Sequence, residues 1–236
     1  MIFTLEALQA KHGDSLLLHY GSLDAPKLVV IDGGPNSRII RPRLDEMREA
    51  LDDPDSGLPI RLLMVSHIDD DHIRGVLDLT KRIREASENQ EPLPYRIQTL
   101  WHNSFDDIVG NGANSLFEAS VASVGAASLA GDIRSSARMS RDAGMVMASV
   151  RQGRTLRDDA RVIGLEINEP GGGLVTAGSA AVVELGDGLS FQVVAPVRSR
   201  LEELQGEWDR KLTELDLATD AGRAEAAAYV DKSVYN

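Results

Sequence analysis

The chain has 236 residues, 42% of them hydrophobic, which is enough for one sizeable core, and it contains no cysteine, which excludes disulfides and thiolate metal sites. A net charge of −12 argues against the basic character of a non-specific nucleic-acid binder. Met1 leads into Ile2-Phe3-Thr4-Leu5-Glu6 without a basic leader segment, and no apolar run nears the roughly 18 residues of a membrane helix, so a cytoplasmic protein with no membrane partner is expected.

In chain order, Ile2–Leu8 and Ser15–Tyr20 read as strands joined at Lys11-His12-Gly13-Asp14, and Lys27–Ile31 reads as a third. That third strand runs into the turn Asp32-Gly33-Gly34-Pro35. Leu44, Met47 and Leu51 predict a helix over Arg43–Leu51, ended by Pro54 and Gly57. Arg61–Val65 is an apolar run with the signature of a buried strand. Val76, Leu77, Leu79 and Ile83 give an apolar helix face over Ile73–Ser87, and Arg96–Trp101 is a further strand. Residues 106–160 turn rich in Ala, Ser, Gly and Met and predict two or three helices, Ala143–Asp159 the best supported. After Ile163–Asn168 and the Gly171–Gly173 loop, Ala181–Leu185 and Leu189–Val194 form a hairpin across Gly186-Asp187-Gly188, and Leu201–Tyr229 is charged, Ala-rich and helical. No internal repeat and no clean linker marks a second domain.

The chemistry concentrates after the Arg61–Val65 strand, in His67-Ile68-Asp69-Asp70-Asp71-His72. Imidazole and carboxylate together form a ligand set for zinc, manganese or iron. His67 and Asp69, two apart, can converge on one cation, and Asp71 and His72 on a second. The competing reading is an acidic start to the helix from Ile73, which Asp70 and Asp71 favour through the helix dipole. Capping and ligation are compatible, and Asp70 is expected to face away.

The spacing His67-x-Asp69-x-Asp71-His72 resembles the His-x-His-x-Asp-His signature of the metallo-β-lactamase fold superfamily, with Asp69 in place of the second His. That variant is similar to the lactamase-like domain of competence DNA-uptake proteins. The lead-in, His12-Gly13-Asp14-Ser15 followed by Val30-Ile31-Asp32-Gly33-Gly34, resembles the opening of the same branch. The resemblance implies an α/β (α+β) fold, the αββα sandwich, over residues 1–236 with a helical insertion at about 106–160. It implies two divalent metal ions, zinc or manganese, held by His67, Asp69, Asp71 and His72, with Asp71 and His72 catalytic. Asp32 then orients the ligand loop from beneath, as does Asp14; for both, an ordinary turn role is the alternative. The branch carries a further His where this chain has Ala195, and His102 is the residue placed to substitute for it; its other reading is a strand-end His packed beside Trp101.

Beyond Asp231–Asn236 the family continues with a strand pair, a bridging carboxylate and a final His. The resemblance thus implies that a C-terminal part of the fold is missing here and is supplied by the remainder of the same protein or by a partner chain. An unpaired strand edge would also invite a second copy. The function so implied is a metal-dependent hydrolase with metal-activated water, first of all a phosphodiesterase or nuclease acting on nucleic acid. The alternatives are a half-domain inactive alone, a hydrolase of lactones, thioesters or other small esters, and a non-enzymatic binding module.

Overall fold

The computed structural model describes residues 1–104, 139–178 and 182–214. It divides into two units, one formed by residues 1–103 and 153–197 and the other by 104–152 and 198–236. The first unit holds the sheets and the candidate site.

Six strands make the main sheet: β1 (Ile2–Ala7), β2 (Leu16–Gly21), β3 (Pro26–Ile31), β4 (Leu58–Met64), β5 (Tyr95–Trp101) and β6 (Glu166–Ile167), paired in that order. The β1–β2 and β2–β3 pairs are antiparallel, as short connections require. From β3 to β6 the pairs are parallel, because helices carry the chain back between them. Helix α1 (Ser37–Glu49) links β3 to β4, and α2 (Asp70–Glu88) links β4 to β5. Helix α3 (Met139–Val162) precedes β6. A two-stranded antiparallel sheet follows, β7 (Val183–Gly186) and β8 (Leu189–Phe191), and then α4 (Arg198–Glu214). The class is mixed α and β, with the parallel strands at the centre.

At the centre of the main sheet both faces are buried, and β2, β3 and the second half of β4 read as apolar runs. One face packs Leu18, Tyr20, Val29, Leu62 and Trp101 against Val183, Leu185 and Leu189 of the small sheet. The alternating residues Leu17, Val30, Leu63 and Leu100 are fully buried on the other face, which α1 and α2 cover with Ile40, Leu44, Ile73, Val76 and Leu79. Each such side chain stabilises the fold by roughly 1.5–3 kcal/mol before its ordering entropy is subtracted. Among the described residues no helix is long and apolar enough to cross a membrane.

Several elements differ from their sequence reading. Helix α1 begins at Ser37 instead of Arg43 and carries Pro42 inside it. Its Asn36 cap accepts the Arg38 N–H at 3.1 Å, and Asp78 of α2 accepts the Ser37 N–H at 3.1 Å. Strand β4 begins at Leu58, three residues before Arg61, because Pro59 sits at an exposed register position opposite Arg96. Of Ile163–Asn168 only Glu166–Ile167 pairs, and β8 stops at Phe191. The Ala143–Asp159 helix lies within α3 and the start of Leu201–Tyr229 within α4. The other helices expected in 106–160, residue 181, and the chain from 215 to its end lie outside the described residues.

Candidate metal centre

The site lies at the carboxyl ends of β3 and β4, where open parallel sheets place their ligands. Three loops meet there, and glycine lets them approach. Gly13 in the β1–β2 connection has φ +77°, and a Cβ on it would collide with the Asp71 carbonyl. A Cβ on Gly75 of α2 would collide with the Gly33 carbonyl. Backbone bonds close the contact: Gly33 N–H donates to His72 O at 2.8 Å, Gly75 N–H to Gly34 O at 3.1 Å, and Gly34 N–H to Asp14 O at 2.9 Å. The three motifs singled out in the sequence are thus one packed unit.

Asp32 is its hub. The residue is 2% exposed and takes φ +57°, a left-handed conformation in which Asp is better tolerated than most residues. Its N–H donates to Met64 O at 2.8 Å, extending the parallel ladder and fixing it beside the end of β4. Its carboxylate accepts from Ser66 N–H at 2.8 Å and Ser66 Oγ–H at 2.6 Å, and it meets His72 Nδ1 at 2.9 Å. Asp32 is thus a turn residue whose side chain also holds Ser66 and His72.

His72, in the first turn of α2, is 7% exposed. Nδ1 is engaged by Asp32, and Nε2 lies 3.9 Å from Asp71 Oδ1. His67 stacks on it with ring centroids 3.7 Å apart, at a tilt of 48°. Nitrogen and oxygen donors of His67, Asp71 and His72 lie within 4.8 Å of one another. Two imidazoles and one carboxylate, with one imidazole oriented by a buried carboxylate behind it, is a donor set that suits a divalent cation. Asp14, Asp32 and His72 also come within 4.8 Å. The Asp32 oxygens there are taken by Ser66 and His72, so we read that second group as the support of the first.

The other histidines and carboxylates near the motif stand apart from the His67, Asp71 and His72 group. Asp69 stands at the N-cap position of α2, which starts at Asp70, three residues before the expected Ile73. Its side chain makes no capping bond and is 68% exposed, with Oδ2 3.6 Å from His67 Nε2. Asp14 is exposed, and its backbone carbonyl makes the structural contact. Asp70 accepts from Arg74 Nη1 at 3.1 Å. His102 is buried at the end of β5, and Asn168 brackets its backbone, accepting from its N–H at 2.9 Å and donating to its carbonyl at 2.8 Å. His12 is an exposed turn residue, and His19 pairs with Glu6 at 3.2 Å. Gly153 of α3 packs against Ile68, inside the motif loop. Ser66 was not singled out by sequence reasoning; its one signal is a hydroxyl directly before the first motif His.

No protein-family model matches the chain, and no match was found among curated proteins or among solved structures.

Proposed function

We propose that this protein is a metal-dependent hydrolase in which His67, Asp71 and His72 hold a divalent cation, zinc or manganese. The observation that carries the reading is the convergence of those three donors while His72 Nδ1 is engaged by buried Asp32. Three protein ligands with a position left for water is the pattern of catalytic rather than structural zinc. A cation held there supplies Lewis acidity and lowers the pKa of water. The chain's own residues do the rest: Asp32 fixes the His72 ring, and Asp71 Oδ1 offers an acceptor for a proton. A second ion, the αββα sandwich and the Asp69 and His102 ligands remain part of the proposal through the resemblance to the metallo-β-lactamase superfamily.

The substrate proposed first is a phosphodiester of nucleic acid, on the likeness of the Asp69 variant to the DNA-uptake branch. Asp14, Asp69, Asp70 and Asp71 around the site would repel a phosphate, so substrate binding should need the cation. Elemental analysis of the purified protein tests the reading together with phosphodiesterase assays in zinc and manganese. The expected result is at least one ion per chain, with metal and activity both lost in His67→Ala and Asp71→Asn. A metal-free protein that takes up neither ion rejects it.

A second reading, activity only after a C-terminal segment or partner chain adds to β7–β8, is favoured by one observation. The small sheet has two strands among the described residues, flanked by exposed Val182 and Val194. A monomer that is fully active by itself would rule this out.

A further inference from the structure

We propose that Ser66 is a positioning residue that, with Asp32, sets both candidate ligands in one tautomer, with Nδ1 protonated and the Nε2 lone pair presented to the cation. The inference rests on the reading of His67, Asp71 and His72 as a cation site and deepens it.

A serine hydroxyl has one proton to donate and lone pairs with which to accept. Ser66 Oγ lies 2.6 Å from Asp32 Oδ2. A carboxylate only accepts, so the hydroxyl proton goes to it; aimed elsewhere, it would leave two lone pairs facing each other at that distance. Ser66 Oγ is also 3.0 Å from His67 Nδ1. Its proton already committed, Oγ can only accept there, and an Nδ1 that donates must carry the ring proton. His72 Nδ1 meets the same Asp32 Oδ2 at 2.9 Å and must carry its proton too. Ser66 Oγ stands 3.5 Å from that nitrogen, at the outer limit of a bond. Ser66 N–H on Asp32 Oδ1 at 2.8 Å prevents the carboxylate from rotating out of the arrangement.

One buried carboxylate thus controls two imidazoles, the inner directly and the outer through a hydroxyl. The ring nitrogen not engaged by its partner is the one a metal takes, so the tautomer decides whether either His can ligate through Nε2. His67 is half exposed, its side chain 49% accessible; Asp69 Oδ2 faces its Nε2 at 3.6 Å, beyond hydrogen-bond length and 68% exposed, so Ser66 at 3.0 Å on Nδ1 is the contact that selects the tautomer.

The test uses the whole chain, metal-free and 15N-labelled, at a pH where both rings are neutral. Long-range 15N–1H imidazole spectra would be recorded for wild type, Ser66→Ala and Ser66→Thr. Wild type and Ser66→Thr should show Nδ1–H at both rings. Ser66→Ala should keep Nδ1–H at His72 and give a tautomer mixture at His67. A zinc titration in parallel should show about 10–100-fold weaker binding for Ser66→Ala, with Ser66→Thr close to wild type. An Nε2–H proton at either ring in wild type overturns the proposal, and that spectrum suffices if Ser66→Ala fails to fold. An unchanged His67 tautomer in a folded Ser66→Ala overturns it as well. Nδ1–H at both wild-type rings in a protein that binds no zinc would uphold the tautomer assignment and reject the cation site.

Discussion

Gly75 shows how a single missing side chain holds the site together. In the middle of an ordinary helix, Gly→Ala stabilises by about 1 kcal/mol, because alanine loses less backbone entropy. Here the added Cβ would run into the Gly33 carbonyl and push α2 off the turn that carries Asp32. Forcing a carbon into such a contact costs about 3 kcal/mol or more, so the clash outweighs the propensity gain. Gly75→Ala is therefore expected to lower the urea midpoint, and with it the ordering of the Asp32–His72 pair. A raised midpoint would show that α2 does not pack on the turn. His67, Asp71 and His72 were legible in the sequence because they sit within six residues, where the motif itself is visible before any fold brings their donor atoms together. Ser66 was not, because its task depends on Asp32, 34 residues away, and on which nitrogen of each ring faces it. Asp69 marks the opposite limit: spacing nominated it, and the fold sets it at the N-cap position of α2, 68% exposed with Oδ2 3.6 Å from His67 Nε2, so spacing alone does not say whether it ligates.

The elements were legible where burial on both faces forces apolar runs, as in β2, β3 and the second half of β4. They were misread at their starts, as in α1, where the apolar spacing of Leu44, Met47 and Leu51 begins only after Pro42. Pro42 costs a helix interior about 3 kcal/mol in isolation, which argues for starting α1 after it. Tertiary burial of Ile40 together with the Asn36 cap and the Asp78 contact offsets that cost and brings the start back to Ser37. The seam between α3 and α2 is polar and makes its own prediction. Asp159 is 4% exposed, accepts from Thr80 Oγ1 at 3.2 Å and lies 3.4 Å from Arg84 Nε. Burial raises its carboxyl above the ordinary 3.8, and the Arg84 charge and the Thr80 bond only partly counter this. A raised folded pKa means that the neutral form favours the fold. That contribution is complete below the unfolded value and is lost as pH rises through the folded one. Asp159→Asn removes the ionisation, so its stability relative to wild type should increase as pH is raised from about 4 toward neutrality. Urea midpoints across that range measure it, and a difference independent of pH would mean that Arg84 compensates the charge in full.

At the scale of the whole molecule the net charge of −12 becomes a lever on the proposed site. Like charges oppose the compact state, and Asp14, Asp32, Asp69, Asp70 and Asp71 gather several of them around one sheet edge. Monovalent salt relieves this diffusely and acts on every charge within about a Debye length. A cation bound by His67, Asp71 and His72 relieves it locally and also adds binding linkage, since the unfolded chain does not hold the three donors together. At a free concentration roughly 100 times its Kd, such an ion stabilises the fold by about 2.7 kcal/mol. For a chain of this size that corresponds to a Tm rise of about 5–10 °C. Sodium chloride at matched ionic strength should give a smaller shift, and should give it equally in wild type and in His67→Ala. Because His67 is half exposed, its replacement should remove a ligand with little cost to the fold. The zinc- or manganese-specific part of the shift should then disappear while the salt part stays. An equal divalent shift in both proteins would reduce the effect to general screening of an acidic surface and leave the His-Asp cluster without a cation to hold.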